Sequence, residues 1–211
     1  MNLLPTARQI WPILFLACVA AGVLSFIYLD LPVARLFVQN VGRMDNLSAG
    51  LGSAILLSIE GMTALSLIGL RLMRGRLSRF EEALALASLT SMCVYAINDG
   101  VLKLFFGVPN PASVLLAGAH HGPHLFGGTQ TASFPSGHMA LAGSFGGVFM
   151  TLVPRSRWPL SILLFAGAGL LIIGDWHFVS DVIAGSFIGV STGVLAGELW
   201  RVHSKWDATN P

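Results

Sequence analysis

Charge is scarce in this chain: 12 Lys and Arg and 10 Asp and Glu among 211 residues, or 10%. A soluble domain carries about 25%, so a water-facing globular surface is excluded. The net charge is only +2, and the basic residues fall between apolar runs, which argues against nucleic acid as a partner. Cysteine is nearly absent. Cys18 and Cys93 both sit inside apolar runs and read as small buried thiols, not as a disulfide. Ten-residue segments of alternating hydrophobicity are missing, which excludes a transmembrane barrel. No internal repeat is strong enough to organise the chain.

Apolar length is what the chain has: 54% of it is hydrophobic, with a mean hydropathy of +0.74. A bilayer span needs about 20 mostly apolar residues. Candidate runs occupy residues 10–29, 47–70, 83–106, 139–153, 160–174 and 179–200, the fourth and fifth being short. The expected fold is all-α, a polytopic membrane helical bundle with about six transmembrane helices. It is expected to form a single integral membrane domain over residues 1–211, with its motifs within 83–200 and a partly disordered polar tail at 201–211. Arg8, the apolar run after it and Ala20-Ala21-Gly22 imitate a secretion signal. Because the run continues to Leu29, a retained first span is expected instead. Residues 30–46, with Pro32, read as an interfacial amphipathic connection.

Lys and Arg set the orientation. Arg8, Arg71, Arg74, Arg76, Arg79, Arg155, Arg157, Arg201 and Lys205 share one side if six spans alternate. That places both termini in the cytoplasm, with Arg35, Arg43 and Lys103 near the opposite side. The loops carrying His138 and His177 then fall outside, together with the long polar loop 107–134. Loops of that length are often functional. In the last run Gly185, Gly189, Gly193 and Gly197 recur every four residues. Small residues at this spacing let helices approach closely in lipid. Packing within the chain is favoured over a dimer seam, since a small bundle must first close on itself.

Three places carry chemistry. His177 and Asp181 stand at i and i+4, on one helical face. A carboxylate on one imidazole nitrogen frees the other as a nucleophile; a structural His–Asp pair at a helix start is the plainer reading. His138 follows Pro135-Ser136-Gly137 and opens an apolar run. Backbone N–H groups at such a turn cradle anions, with His138 beside them as a general acid. The plainer reading is a Ser136 N-cap. Lys103 is a charge at the outer end of a span, where charges tend to be functional, and an ion pair with Asp99 would also explain it.

Together these residues resemble the type 2 phosphatidic acid phosphatase superfamily, the lipid phosphate phosphatases. That family has a lysine, six residues and Arg-Pro; then Pro-Ser-Gly-His; then Ser-Arg, five residues, a histidine, three residues and an aspartate. Lys103 and Pro111 fit the first motif, residues 135–138 match the second in full, and His177 and Asp181 fit the third. The resemblance covers roughly residues 83–200. It implies that His177 attacks phosphorus to form a phosphohistidine, oriented by Asp181. His138 would protonate the leaving oxygen and later help activate water. Lys103 and the backbone of Ser136 and Gly137 would hold the phosphate, with no metal and no cofactor.

The chain departs from that pattern at both motif arginines, where it has Asn110 and Leu170-Leu171. A bidentate guanidinium is a strong, directional phosphate contact, and neither residue type replaces it. Weaker phosphate binding, a different substrate and lost hydrolysis are the three consequences to weigh; the retained His–His–Asp set favours activity. Asn110, His120, His121 and His124 are candidate substitutes on the phosphate. His-His-Gly-Pro-His also invites a metal reading, but no carboxylate or cysteine stands nearby in sequence. Gly127 and Gly128 would let the loop fold back over the site. Glu60 is an unexplained charge inside a span, and Glu198 reads as a surface residue.

The resulting expectation is a metal-independent membrane phosphatase acting on a lipid phosphomonoester or pyrophosphate of polyprenyl, glycerolipid or lipid A type. The bacterial inner membrane is the expected location, with the site facing the periplasm. A lipid phosphotransferase and a non-catalytic lipid-binding or transport protein of the same fold are the alternatives.

Overall fold

A computed structural model describes residues 3–43, 46–128 and 131–204. The order of helices is α1 (Leu3–Tyr28), α2 (Asp30–Asn40), α3 (Asn46–Arg74), α4 (Arg79–Ile97), α5 (Lys103–Phe106), α6 (Pro111–Leu115), α7 (Gly137–Leu152), α8 (Arg157–Ile173) and α9 (Val179–His203). A π-helical turn, Asn98–Leu102, joins α4 to α5. Among the described residues there is no strand, only an isolated antiparallel bridge between Pro109 and Ala132. The fold is therefore an all-α bundle. The polar tail foreseen at 201–211 falls mostly on residues 205–211, outside those described.

Among the described residues, five helical stretches are long and apolar enough to cross a membrane: Ile10–Tyr28, Gly50–Arg74, Arg79–Phe106, Pro154–Ile173 and Val179–His203. The remaining apolar run forms α7. At 16 residues it is about 24 Å long, short of the roughly 30 Å hydrocarbon thickness. It has no need to face lipid, because 12 of its 16 residues are buried between α4, α8 and α9. The outer helices carry the opposite pattern. Ile13, Leu16, Met62, Leu65, Ile162 and Phe165 are all exposed, an apolar perimeter that suits hydrocarbon as its solvent.

The tightest pairing is α7 against α9. These two helices run parallel, because α8 returns the chain to the end where α7 began. A Cβ at Gly189 or Gly193 would strike the backbone of Ala140 or Ser144, and one at Gly147 would strike Val190 and Val194. The four-residue glycine series thus closes the bundle on itself. On its other side α7 meets α4 through Val148, Phe149 and Leu152 packed on Ala83 and Ala87. Ser78 begins α4 with a reciprocal cap: its hydroxyl accepts from Glu81 N–H while its own N–H donates to the Glu81 carboxylate.

Two expectations need correction. Glu198 is buried at 5% exposure, not a surface residue. Arg201, one turn on, donates to its carboxylate at 2.6 Å, and that neighbour makes burial tolerable. Cys93 is exposed, not buried, because α4 turns its other face toward α3 and α7. Glu60 does face inward and accepts from the Ser91 hydroxyl at 2.5 Å.

Candidate active site

Chain direction decides what meets at each end of the bundle. The end of α5, the start of α7 and the start of α9 lie together. The arginine-bearing connections α3–α4 and α7–α8 lie at the other end.

The Pro-Ser-Gly-His turn is held from three sides. Ser136 N–H donates to the Asp181 carbonyl (3.0 Å). The Asn98 amide, in the π turn, donates to the Pro135 carbonyl (3.0 Å). Gly185 lies so close beneath that a Cβ there would strike the Ser136 carbonyl. The Ser136 hydroxyl caps α7 by accepting from Met139 N–H, so the capping role is real and leaves His138 in the first turn of the helix. Lys103 approaches the same turn: a Cβ on Gly137 would sit 3.5 Å from its Nζ. Its ammonium also donates to Asp99 (2.6 Å), the ion pair that was the plainer reading of Lys103.

The two imidazoles meet. His138 Nδ1 lies 3.3 Å from His177 Nε2. Behind His177, its Nδ1 is 3.5 Å from Asp181 Oδ2, and the same oxygen accepts from Phe178 N–H (2.9 Å). His177 is 7% exposed and Asp181 is fully buried. Behind His138, its Nε2 is 2.7 Å from the Ser53 hydroxyl of α3, which the Tyr95 hydroxyl also bonds. His138 Nδ1 and His177 Nε2 therefore face each other, while the rear nitrogens are backed by a carboxylate on one side and a hydroxyl on the other.

The loop histidines divide. His120 and His124 are exposed and face each other edge-on, with ring centroids 6.0 Å apart. His121 turns inward, stacked on Phe26 (4.4 Å) and edge-on to Phe178 (4.6 Å). Its Nε2 lies 3.5 Å from the Asp30 carboxylate, which accepts the Ser180 N–H (3.0 Å) and hydroxyl (2.6 Å). Asp30 thus satisfies the start of α9 from outside it, where a carboxylate is favoured. Asn110 caps α6, its side chain accepting from Ser113 N–H (2.8 Å). Gly128 packs on the backbone of Lys103 and Leu104, which folds the loop back onto α5.

Sequence reasoning passed over Ser53, Tyr95, Asn98, Asp30 and Asp175. Asp30 and Asn98 are polar residues at the ends of apolar runs, a signal that could have marked them. Ser53 gave none, standing among other serines of its run. Arg43, noted only as a charge on the outer side, comes within 3.8 Å of Asp175, two residues before His177.

Asp175 is 2% exposed and adopts a left-handed backbone, φ 57°. Burial raises its pKa to about 6, against the opposing pull of Arg43. The folded-state value exceeds the unfolded one, so ionisation costs stability as pH rises. That cost is absent below about pH 4, grows through the interval to about 6 and is full above it. Asp175→Asn tolerates the same backbone. It should raise the thermal unfolding midpoint at pH 8 by a few degrees and leave it unchanged at pH 4. Equal shifts at both pH values would contradict this account.

A sequence model of the PAP2 superfamily matches residues 83–205, more than half of the 211 residues. Comparison with curated proteins and with solved structures gives no match. The matched region holds Lys103, the Pro-Ser-Gly-His turn, His177 and Asp181, and leaves out α1, α2 and α3.

Proposed function

The chain belongs to the PAP2 superfamily, and from that premise we propose that it is a membrane phosphatase of lipid phosphates working through a phosphohistidine at His177. Family membership supports phosphatase chemistry in general; the lipid and the mechanism are our reading. The observation that carries it is the 3.3 Å approach of His138 Nδ1 to His177 Nε2, beside Lys103 and the Pro-Ser-Gly-His turn.

In this scheme the phosphoryl group enters by parting the two rings, since reacting atoms need about 3–3.5 Å on each side of phosphorus. His177 Nε2 attacks phosphorus and its Nδ1–H faces Asp181. His138 Nδ1 protonates the departing oxygen, then takes a proton from the water that cleaves the phosphohistidine. Lys103, the Gly137 backbone and Arg43 supply positive potential where the family arginines are missing; the Ser136 N–H, expected on the phosphate, is engaged by the Asp181 carbonyl instead. The basic loops lie at the far end of the bundle, so the charge bias favours a non-cytoplasmic site, the periplasmic face in a bacterial inner membrane. The substrate is a lipid phosphomonoester or pyrophosphate whose tail stays in the bilayer.

The test uses purified protein in chelator with a panel of phosphatidic acid, phosphatidylglycerol phosphate and polyprenyl pyrophosphate. Phosphate release is expected from at least one of them. A brief incubation with the 32P-labelled form of that lipid should leave acid-labile, base-stable label on the protein. Absence of both across the panel defeats the reading. Label passing to a second lipid instead of water would identify a phosphotransferase.

A further inference from the structure

The structure places a hydroxyl pair behind His138, and one member of it, Ser53, lies outside the family match, which begins at residue 83. Ser53 comes from α3, and its hydroxyl is 2.7 Å from His138 Nε2. Tyr95 comes from α4 and bonds the same serine, while its ring lies against the turn, 3.1 Å from where a Gly137 Cβ would stand. Ser53 is 8% exposed. A serine and a tyrosine from two helices thus converge on the one imidazole nitrogen that faces away from His177.

We infer that Ser53, held by Tyr95, is a positioning residue for the reaction: it fixes the His138 ring so that Nδ1 is the nitrogen turned toward the phosphoryl group. The inference rests on the catalytic reading of His138 given above. While Nδ1 gives up and regains its proton, Nε2 keeps its own, so the group behind it must accept in both states. The Ser53 oxygen accepts from His138 Nε2–H, which leaves its own O–H for the Tyr95 oxygen, and that second bond restrains the rotor. With one proton held at the rear on Nε2, the proton that His138 can transfer is the one on Nδ1, the nitrogen that faces His177 Nε2.

The test uses full-length protein in nanodiscs with dioctanoyl phosphatidic acid as probe substrate. Ser53→Ala is expected to lower kcat by about ten- to a hundredfold with KM changed less than about threefold. Ser53→Thr, which keeps the hydroxyl, should recover most of the rate. Tyr95→Phe should lower kcat by about three- to tenfold, and the double variant should be no slower than Ser53→Ala alone. A kcat for Ser53→Ala within twofold of the parent, a loss confined to KM, or multiplying effects in the double variant would overturn the inference. A second readout needs no turnover. In protein carrying 15N-labelled histidine, with His138→Gln used for assignment, Ser53→Ala should displace the His138 Nε2 resonance. An unmoved resonance overturns the inference even if the protein proves inactive, whereas a displaced one in an inactive protein faults only the catalytic reading.

Discussion

His177→Ala should release no measurable phosphate from any lipid that the parent protein hydrolyses, a loss of at least about a thousandfold. The reason lies in what remains. In the proposed mechanism His138, whose Nδ1 is 3.3 Å from His177 Nε2, is the imidazole placed to substitute. If it attacked, it would no longer be available to protonate the leaving oxygen. His138→Ala should cost less, about 10²- to 10⁴-fold, the usual share of a general acid. The two can be separated with p-nitrophenyl phosphate, whose leaving group needs no proton. His138→Ala should regain part of its rate on that substrate, and His177→Ala should regain none. Both proteins must elute as monodisperse species in detergent, as the parent does. Equal rates for His177→Ala and parent on the lipid would remove the nucleophile from this site.

Gly193→Leu should yield no folded protein, although leucine is the better helix former by nearly 1 kcal/mol. Position 193 has no room for a side chain. Even a Cβ would lie 2.9 Å from the Ser144 Cα and closer still to its carbonyl oxygen. Overpacking against side chains costs about 1–3 kcal/mol because rotamers can yield. Here the obstacle is backbone, so α7 and α9 would have to separate along the most extensive contact in the bundle. That contact also carries the bond from Ser136 N–H to the Asp181 carbonyl, so separation would pull the two imidazoles apart. Gly167→Leu on α8 is the control, since its Cβ would meet nothing within 4 Å. Fluorescence-detected size exclusion should show a sharp peak for Gly167→Leu and aggregate for Gly193→Leu. Matching profiles would mean that α7 and α9 do not approach as described.

Much of this site was legible without coordinates because its information is local. His177 and Asp181 are one helical turn apart, and residues 135–138 form a single turn; both follow from spacing alone. The glycine series in α9 likewise announced a close helix contact. Membrane character followed from composition, since bundle helices in lipid need apolar perimeters whatever their order.

What the chain alone could not reveal is which residues from distant helices stand behind the local motifs. Ser53, 85 positions before His138, and Asp30, 150 before Ser180, reach the site only because α2 and α3 pack beside it. A serine in an apolar run looks the same in sequence whether it bonds its own helix or another's imidazole. The same limit applies to α7, whose 16 residues read as a short span until neighbouring helices enclose it. The sequence by itself determined the apolar helices, the turn and the His–Asp spacing, because these depend on residues within a few positions of one another. Only the tertiary structure decided which imidazole nitrogens face each other and what lies behind them, because those pairings depend on how whole helices pack.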